Sequence, residues 1–361
     1  MLTVLGTRPE ILKLSPVIHA LREPGRPVTT AVCFSGQHDA LARDIAREVG
    51  VVIDVEAGDE YRPSTLSESL ADLLVRIEGA ARRTEPRGVI VQGDTTTALA
   101  GALVGFYRAL PIFHVEAGLR TTDPLRPFPE EMNRRLLSRV ATVHFAPTET
   151  ARDHLLAEGV PASSIELTGN TIVDALARFL PEPATHANEA KSGRSIVVVT
   201  LHRRENLAAA DGVARAVTSL AERDDVEVIW IRHPNPTNAA ALARLDGSRV
   251  VVLEPQPYRA FLSLLARARV VMTDSGGLQE EAPALGVPVV VLRNETDRPE
   301  AVRSGNALVV GADPGAIVRA CSELLDDAGA HRARSRRDHP FGDGHAATRI
   351  VARIERHFAN T

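Results

Sequence analysis

The fold is decided by the stretch from Val89 to Arg135, which reads VIVQGDTTTALAGALVGFYRALPIFHVEAGLRTTDPLRPFPEEMNRR. Its two short apolar runs, VIV and LPIF, predict buried parallel strands, because strands covered on both faces carry nearly continuous apolar residues. The first run leads to Asp94 and the second to Glu116, and a proline-rich loop then leads to Glu130. Ligands of an open α/β sheet bind just past the carboxyl ends of its strands. Three carboxylates gathered there suggest proton-transfer chemistry.

Strand and helix patterns alternate along the rest of the chain, which predicts βαβ units and a mainly parallel sheet. The chain has 361 residues, more than one hydrophobic core usually supports. We therefore expect an α/β protein with two Rossmann-like, doubly wound domains that face each other across a cleft. Composition alone would place the boundary in the proline-rich stretch 181–194. The element pattern favours domains at 1–168 and 169–344, followed by an amphipathic tail helix at 345–358.

The composition is that of an ordinary globular protein, with 44% hydrophobic and 24% charged residues. The net charge of -4 argues against broad nucleic-acid binding, which needs a basic face. No run approaches the roughly 20 apolar residues of a membrane span, and those before Arg8 are too few for a signal peptide. Cys33 and Cys321 form neither a metal spacing nor a disulfide framework. We expect a cytoplasmic protein that binds neither nucleic acid nor membrane.

Cationic and glycine-rich segments at strand–helix junctions indicate an anionic ligand. Arg8 and Lys13 fall near the start of the first helix, a position suited to an anion. A solvated pair of cations on a helix is the alternative. Ser275-Gly276-Gly277 lies between a buried strand and a helix, where small residues let backbone N–H groups approach a phosphate. A simple tight turn would explain the same three residues.

Further polar residues of the second half are compatible with a nucleotide. Glu281, one turn into the helix after this turn, could accept hydrogen bonds from ribose hydroxyls, or could be a first-turn acid favoured by the helix dipole. His202 and His233 both follow buried strands. A lone histidine there is more often structural, but two of them beside cations such as Arg203 imply an anionic ligand.

Other kinds of site are poorly supported. Asp94, His114, Glu116 and Glu130 are metal-ligand types, yet the metal spacings HExxH and CxxC are absent. His114 and Glu116 share a strand face, which keeps a metal as an alternative. The nucleotide motifs GxGxxG and GxxxxGK[ST] and the serine-hydrolase motif GxSxG are also absent. We expect neither a metal nor an organic cofactor.

Eight short motifs occur in order over almost the whole chain: Gly6-Thr7-Arg8-Pro9-Glu10, Gly93-Asp94-Thr95-Thr96-Thr97, His114-Val115-Glu116-Ala117-Gly118-Leu119-Arg120, Pro129-Glu130-Glu131, Thr168-Gly169-Asn170-Thr171, His202-Arg203-Arg204-Glu205-Asn206, Asp274-Ser275-Gly276-Gly277 and Arg298-Pro299-Glu300. Together they resemble the bacterial non-hydrolysing UDP-N-acetylglucosamine 2-epimerases. The resemblance implies a glycosyltransferase-B-like fold, usually a homodimer, with the tail helix (345–361) packed back on the first domain.

The resemblance also implies a reaction. Enzymes of this family convert UDP-GlcNAc to UDP-ManNAc by removing the C2 proton while UDP leaves C1, which gives 2-acetamidoglucal, and then adding UDP back with a proton on the other face. Proton transfer on two faces needs more than one acid or base. By motif position, Asp94, Glu116 and Glu130 resemble these groups, and their individual steps stay open. Crowding of the carboxylates is expected to raise at least one pKa.

The substrate-binding roles implied by the resemblance are the diphosphate for Arg8, Lys13 and His202, the phosphate loop for Ser275, Gly276 and Gly277, the ribose for Glu281, the uracil side for Gln256 and Phe261, and a further substrate contact for Arg298. Gln37-His38-Asp39 and the segment around His233 depart from the family pattern. The resemblance therefore implies the catalytic site but not activation by substrate at a second site. The alternatives are a hydrolysing 2-epimerase that releases ManNAc and UDP, a glycosyltransferase, and a nucleotide-sugar sensor without turnover.

Overall fold

A computed structural model divides the chain into two α/β units. The residues that the structure describes are 1–36, 39–58, 65–180, 193–201, 207–232, 242–337 and 339–360. Unit 1 comprises Met1–Arg178 and Phe341–Thr361, and unit 2 comprises Phe179–Pro340. The α/β class with two doubly wound domains is confirmed. The division lies one helix later than the expected boundary after residue 168.

Unit 1 is built on a parallel sheet. Its strands are β1 (Leu2–Leu5), β2 (Ala31–Phe34), β3 (Val55–Glu56), β4 (Val89–Gln92), β5 (Ile112–Val115), β6 (Val143–Ala146) and β7 (Ile165–Leu167). They lie in the order β3-β2-β1-β4-β5-β6-β7. The strand order reverses between β1 and β4, and ligands of open α/β sheets bind beside the carboxyl ends of strands at such a switch point. Arg8 follows β1 and Asp94 follows β4, so both lie at this point.

Unit 1 contains helices that alternate with its strands. They are α1 (Arg8–Leu21), α2 (Asp39–Glu48), α3 (Leu66–Thr84), α4 (Thr96–Tyr107), α5 (Glu130–Val140), α6 (Glu149–Ala157) and α7 (Thr171–Phe179). Thr65, Thr95 and Thr148 each accept a hydrogen bond from the backbone N–H three residues later. Such caps satisfy backbone donors that a helix start otherwise leaves unpaired.

The last helix of unit 1, α14 (Ala346–Ala359), comes from the end of the chain. Asp174 of α7 accepts hydrogen bonds from the N–H groups of Ala346 and Ala347, at 3.2 and 2.8 Å. The carboxylate thus lies at the positive end of the helix dipole. Phe358 packs near Phe113 of β5, with 6.0 Å between the ring centroids. These contacts join α7 and the tail helix in one unit.

Unit 2 repeats the arrangement. Its strands are β8 (Ser195–Thr200), β9 (Val226–Ile231), β10 (Val251–Leu253), β11 (Val270–Thr273), β12 (Val289–Val291) and β13 (Ala307–Val309). Their order is β10-β9-β8-β11-β12-β13, so the reversal lies between β8 and β11. The helices are α8 (Leu207–Ala221), α9 (Tyr258–Arg267), α10 (Leu278–Ala284), α11 (Pro299–Arg303), α12 (Pro314–Asp326) and α13 (Ala328–Arg334). Ser275 follows β11 and therefore lies at this second switch point.

The central strands of both sheets are buried on both faces. Every residue of β1, β4, β5, β6, β11 and β12 is buried. This confirms that the apolar runs of the sequence are core strands. Among the helices that the structure describes, none is both long and apolar enough to cross a membrane.

Gly118, two residues after Glu116, provides a test of the packing beside the strand ends. Its φ is +91°, and a Cβ there would lie 2.2 Å from the backbone oxygen of Ala151 in α6. Gly159 has a similar φ of +82° but open space around the same position. We expect Gly159→Ala to cost about 1 kcal/mol through its left-handed backbone alone. Gly118→Ala should cost clearly more, because α6 must also move. Urea unfolding of the two variants measures the difference, and equal losses would contradict this account.

Candidate active site

Glu116 is held at the end of β5 by polar side chains from separate parts of unit 1. Its Oε1 accepts hydrogen bonds from Lys13 Nζ and, at 3.0 Å, from Asn170 Nδ2, while its Oε2 accepts one from Gln92 Nε2. The side chains of Glu116 and Lys13 are only 5% and 6% exposed. A buried carboxylate is stable only when it is paired and hydrogen-bonded. Lys13 supplies the balancing charge here.

The backbone of Glu116 is also unusual. Its φ is +63°, in the left-handed region that residues with a Cβ rarely adopt. Hydrogen bonds on both sides hold the turn, because Gly93 N donates to Val115 O and Ala117 N donates to Phe145 O, each at 3.0 Å. Backbone strain of this kind costs about 1–3 kcal/mol and is concentrated at functional sites. Because of this left-handed turn, the Glu116 side chain leaves the end of β5 in a different direction from that of a regular strand residue.

Asp94 lies at the end of the neighbouring strand, β4, and is fixed by α5. Its Oδ2 accepts a hydrogen bond from Arg134 Nε at 2.8 Å, and its backbone oxygen accepts one from Asn133 Nδ2 at 2.8 Å. The Asp94 side chain remains 23% exposed, whereas that of Arg134 is 6% exposed. The carboxylate is therefore anchored from the protein side and open to a ligand.

Helix α5 begins with two acidic residues that occupy different environments. Glu130 is its first residue and is half-buried. Glu131 is completely buried, and its carboxylate accepts hydrogen bonds from Thr121 N at 3.1 Å and Arg135 Nε at 2.9 Å. Glu131 thus ties the loop after β5 to α5. Glu130 is the more accessible of the two to a ligand.

The loop after β1 carries Arg8 and a second buried carboxylate. Arg8 is half-buried and forms no ion pair with any residue that the structure describes. Glu10 is completely buried, and burial raises the pKa of its carboxyl above the usual range, while hydrogen bonds from Thr95 and Thr7 oppose this rise. Glu10 is not one of the predicted acids, and its pKa rises through loss of solvent. The expectation that crowding raises a pKa among Asp94, Glu116 and Glu130 stays a prediction.

Two histidines lie side by side on neighbouring strands that lead to the site. His114 of β5 and His144 of β6 are neighbours in the sheet register, and both are buried. His114 Nε2 lies 2.8 Å from the backbone oxygen of Gly93. Burial lowers the pKa of His114 to about 4 and that of His144 to about 3. Both imidazoles are therefore neutral near pH 7, and neutral His114 donates to the turn that carries Asp94.

The loop after β11 forms the corresponding region of unit 2. Ser275 N donates to Thr273 Oγ1 at 3.0 Å, and Ser275 O accepts from Gln279 Nε2 at 3.1 Å. A Cβ on Gly276 would lie 3.5 Å from the guanidinium carbon of Arg298. Gly277 precedes α10, whose first turn contains Glu281. The loop is therefore fixed on one side by its own turn and on the other by Arg298.

Arg298 is buried among acidic side chains. It donates through Nε to Glu280 Oε1, and its Nη1 lies 3.1 Å from Asp297 Oδ2. Its side chain is 6% exposed, and those of Glu280 and Asp297 are 0% and 2% exposed. In these positions Arg298 braces the loop against α10. The substrate contact implied for it by resemblance stays a prediction.

The remaining predicted residues of unit 2 lie around α9. Glu281 is buried, and its Oε1 accepts a hydrogen bond from the hydroxyl of Tyr258 at 2.8 Å. Tyr258 is the first residue of α9, and Phe261 is a buried residue of the same helix. Gln256 lies two residues before α9, and its side chain donates to Glu254 O at 2.7 Å. The hydrogen bond from Tyr258 thus links Glu281 to the part of α9 that follows Gln256.

Some predictions lie outside the described residues. They concern His202, Arg203 and His233, and the second-site residues Gln37 and His38. Within the described ranges, no three His, Cys, Asp or Glu side chains are grouped as metal ligands would be. The roles of all the predicted site residues stay predictions.

The comparisons with known proteins agree over nearly the full length. The family model described as UDP-N-acetylglucosamine 2-epimerase matches residues 20–355. A UDP-N-acetylglucosamine 2-epimerase of Yersinia pestis is 40% identical, with 99% of this chain and 98% of that protein covered. These are similarities of sequence.

Solved structures give the same result. The crystal structure of UDP-GlcNAc 2-epimerase from Neisseria meningitidis bound to UDP-GlcNAc has a TM-score of 0.92 at 33% identity, covering 98% of this chain and 99% of that chain. The S. aureus MnaA–UDP co-structure has a TM-score of 0.93 at 34% identity, covering 100% and 97%. A spinosyn rhamnosyltransferase at 17% identity and a TM-score of 0.64, covering 98% and 99%, shares the fold alone. The matches in sequence and structure place this protein in the UDP-N-acetylglucosamine 2-epimerase family.

Proposed function

We propose that this enzyme interconverts UDP-GlcNAc and UDP-ManNAc by elimination and re-addition of UDP, without hydrolysis. The observation that carries the proposal is the pair of anchored carboxylates at the ends of β4 and β5. Asp94 is held by Arg134, and Glu116 by Lys13. Each acid thus has a cation beside it and a fixed position, and proton transfer to and from carbon requires a group that is held in place.

The proposed reaction consumes no water. One base takes the proton from C2, the electrons of that bond form the C1=C2 double bond, and the C1–O bond to UDP breaks. The products of this step are 2-acetamidoglucal and UDP. In the return step a UDP oxygen bonds to C1 while an acid delivers a proton to the opposite face of C2. Asp94, Glu116 and Glu130 are the proposed proton-transfer groups, and their order is open.

The departing diphosphate needs positive partners, since charge develops on it as the C1–O bond breaks. We assign this role to Arg8, Lys13 and His202, with backbone groups of the Ser275-Gly276-Gly277 turn. Arg8 is suited to it because it is half-buried and forms no ion pair with a described residue. Lys13 has a second task, since it balances Glu116.

The nucleoside is assigned to unit 2. Glu281 would accept hydrogen bonds from ribose hydroxyls, and its bond from Tyr258 fixes the orientation of the carboxylate. Gln256 and Phe261 are assigned to the uracil side, and Arg298 to a further substrate contact. The N. meningitidis relative was solved with UDP-GlcNAc bound and the S. aureus relative with UDP, which supports the choice of ligand. The homodimer and the cytoplasmic location stay predictions from the resemblance and the composition.

One incubation with UDP-GlcNAc in D2O tests the reaction. We expect deuterium at C2 and a mixture of UDP-GlcNAc and UDP-ManNAc, because the proton that returns comes from a group in exchange with solvent. Free ManNAc formed in step with UDP would instead indicate hydrolysis. Transfer of the sugar to an added acceptor, with retention of hydrogen at C2, would indicate a glycosyltransferase. Binding of UDP-GlcNAc without exchange or turnover would indicate a sensor.

A further inference from the structure

Glu10 makes more hydrogen bonds than a helix cap requires. Its Oε2 accepts from Gly6 N at 3.0 Å, Thr7 N at 2.8 Å and Thr7 Oγ1 at 2.8 Å. Its Oε1 accepts from Thr95 Oγ1 at 2.6 Å. The residue is completely buried. All four partners act as donors to a single carboxylate.

These bonds join two loops that the chain separates widely. Gly6 and Thr7 belong to the turn after β1, which leads to Arg8, whereas Thr95 follows Asp94 directly. β1 and β4 are neighbours at the point where the strand order reverses. Glu10 therefore bridges the two strand ends where a doubly wound sheet binds its ligand.

Thr95 transmits this bridge to the backbone of the next helix. Its hydroxyl donates to Glu10 and accepts from Ala98 N at 3.0 Å, so it also caps α4. Asp94 is thus fixed from two sides, by Arg134 and Asn133 of α5 and, through Thr95, by Glu10. We propose that Glu10 is a positioning residue that sets the location of Asp94 for proton transfer. This inference rests on the proposed function, which gives Asp94 a proton-transfer role.

A cap of α1 alone would not need this arrangement. Glu68 caps α3 in the ordinary way, since Thr65 N donates to Glu68 Oε2 at 3.2 Å and Glu68 N donates to Thr65 Oγ1 at 3.1 Å. That box is exposed and local, whereas Glu10 is buried and reaches a threonine 85 residues further along the chain. The Oε1 atom of Glu10 accepts its hydrogen bond from Thr95, in the loop that carries Asp94. Glu68 is therefore a matched control.

Glu10→Gln keeps the shape of the side chain and removes the charge. An amide has one oxygen acceptor, so its NH2 group must face a donor that the carboxylate accepts from. We expect kcat for epimerisation to fall by about 10- to 100-fold, because small displacements of a reacting group have effects of this size. C2 deuterium incorporation should fall equally. The Kd of UDP should change less than kcat, the urea midpoint should fall because a buried donor loses its acceptor, and Glu68→Gln should retain wild-type kcat.

Thr95 variants test the route through which Glu10 acts. Thr95→Val should lower kcat, whereas Thr95→Ser, which keeps the hydroxyl, should have nearly wild-type kcat. The losses in Glu10→Gln and Thr95→Val should not multiply in the double variant, since both substitutions break the same hydrogen bond. Thr65→Val controls for loss of a threonine cap. If Glu10→Gln does not fold, the Thr95 pair still decides: loss in Val with recovery in Ser supports the link, and wild-type kcat in both overturns it.

The inference and the proposed function fail in different ways. Wild-type kcat in Glu10→Gln, or fully multiplicative losses, would overturn the positioning role while Asp94→Asn stays inactive. Full C2 exchange in Asp94→Asn would remove Asp94 from the reaction, whatever Glu10 does. If the fall in kcat of Glu10→Gln only matches its loss of folded protein, Glu10 has a structural role and does not position Asp94.

Discussion

Asp94→Asn is expected to abolish epimerisation while UDP still binds. In the wild-type protein Arg134 Nε donates to Asp94 Oδ2 at 2.8 Å. Asparagine has the same shape and keeps one oxygen that can accept this hydrogen bond. The backbone bond from Asn133 to Asp94 O does not involve the carboxylate. What is lost is the ability to accept or deliver a proton. Removal of a general acid or base lowers turnover by about 10²- to 10⁴-fold.

The measurement is kcat for formation of UDP-ManNAc, together with C2 deuterium exchange and the Kd of UDP by calorimetry. Asp153→Asn is the matched control, because Asp153 of α6 also pairs with an arginine, Arg152 at 3.0 Å, but its side chain is 63% exposed. The control should retain wild-type turnover. Unchanged turnover in Asp94→Asn would exclude it as a proton-transfer group, and a large loss of UDP affinity would place its role in binding.

Much of the fold could be predicted because the central strands are continuous apolar runs. The apolar runs VIV and LPIF correspond to β4 and β5, since a strand buried on both faces leaves a simple pattern. The edge strand β3 has only Val55 and Glu56, within a stretch that is mostly polar, and its pairing with β2 defines it. Such a strand has no sequence pattern of its own.

The sequence patterns predict no elements in the region 293–344, although the structure has β13, α11, α12 and α13 there. A signal for α12 was present. Asp313 accepts a hydrogen bond from Ala316 N at 2.8 Å, and Pro314 occupies the first helical turn, both of which are start signals in sequence. The short helix α11, by contrast, has five residues and leaves little periodicity to detect.

The acids of the site could be predicted and their partners could not. Strand ends locate Asp94 and Glu116 because the position of a parallel strand fixes where its loop lies. The pairing of Lys13 with Glu116 joins residues 103 positions apart, and no local pattern encodes it. The spacing Thr7-x-x-Glu10 indicates a helix start, but the bond from Thr95 arises only when β1 and β4 pair. Gln92 and Asn170 were missed for the same reason.

Glu116→Gln is expected to have two separable effects, on folding and on turnover. The substitution removes the carboxylate that pairs with buried Lys13 and that also accepts hydrogen bonds from Gln92 and Asn170. Removing one partner of a buried ion pair costs about 3–5 kcal/mol, because the other charge stays out of water. Turnover should fall by about 10²- to 10⁴-fold, since a proton-transfer group is lost.

The double variant Lys13→Met/Glu116→Gln separates the two effects, because it removes the charge of Lys13 together with that of Glu116. We expect the double variant to regain more than half of the free energy of unfolding that Glu116→Gln loses. Its turnover should remain as low as that of Glu116→Gln, and its affinity for UDP should fall. Glu56→Gln is the control for an exposed pair: Glu56 lies beside Arg43, with side chains 45% and 37% exposed, and its loss should cost less than about 1 kcal/mol. Urea titration gives the stabilities and C2 exchange gives the chemistry. If the double variant regains turnover along with stability, Glu116 serves only to hold the fold, and the proton must move through Asp94 and Glu130.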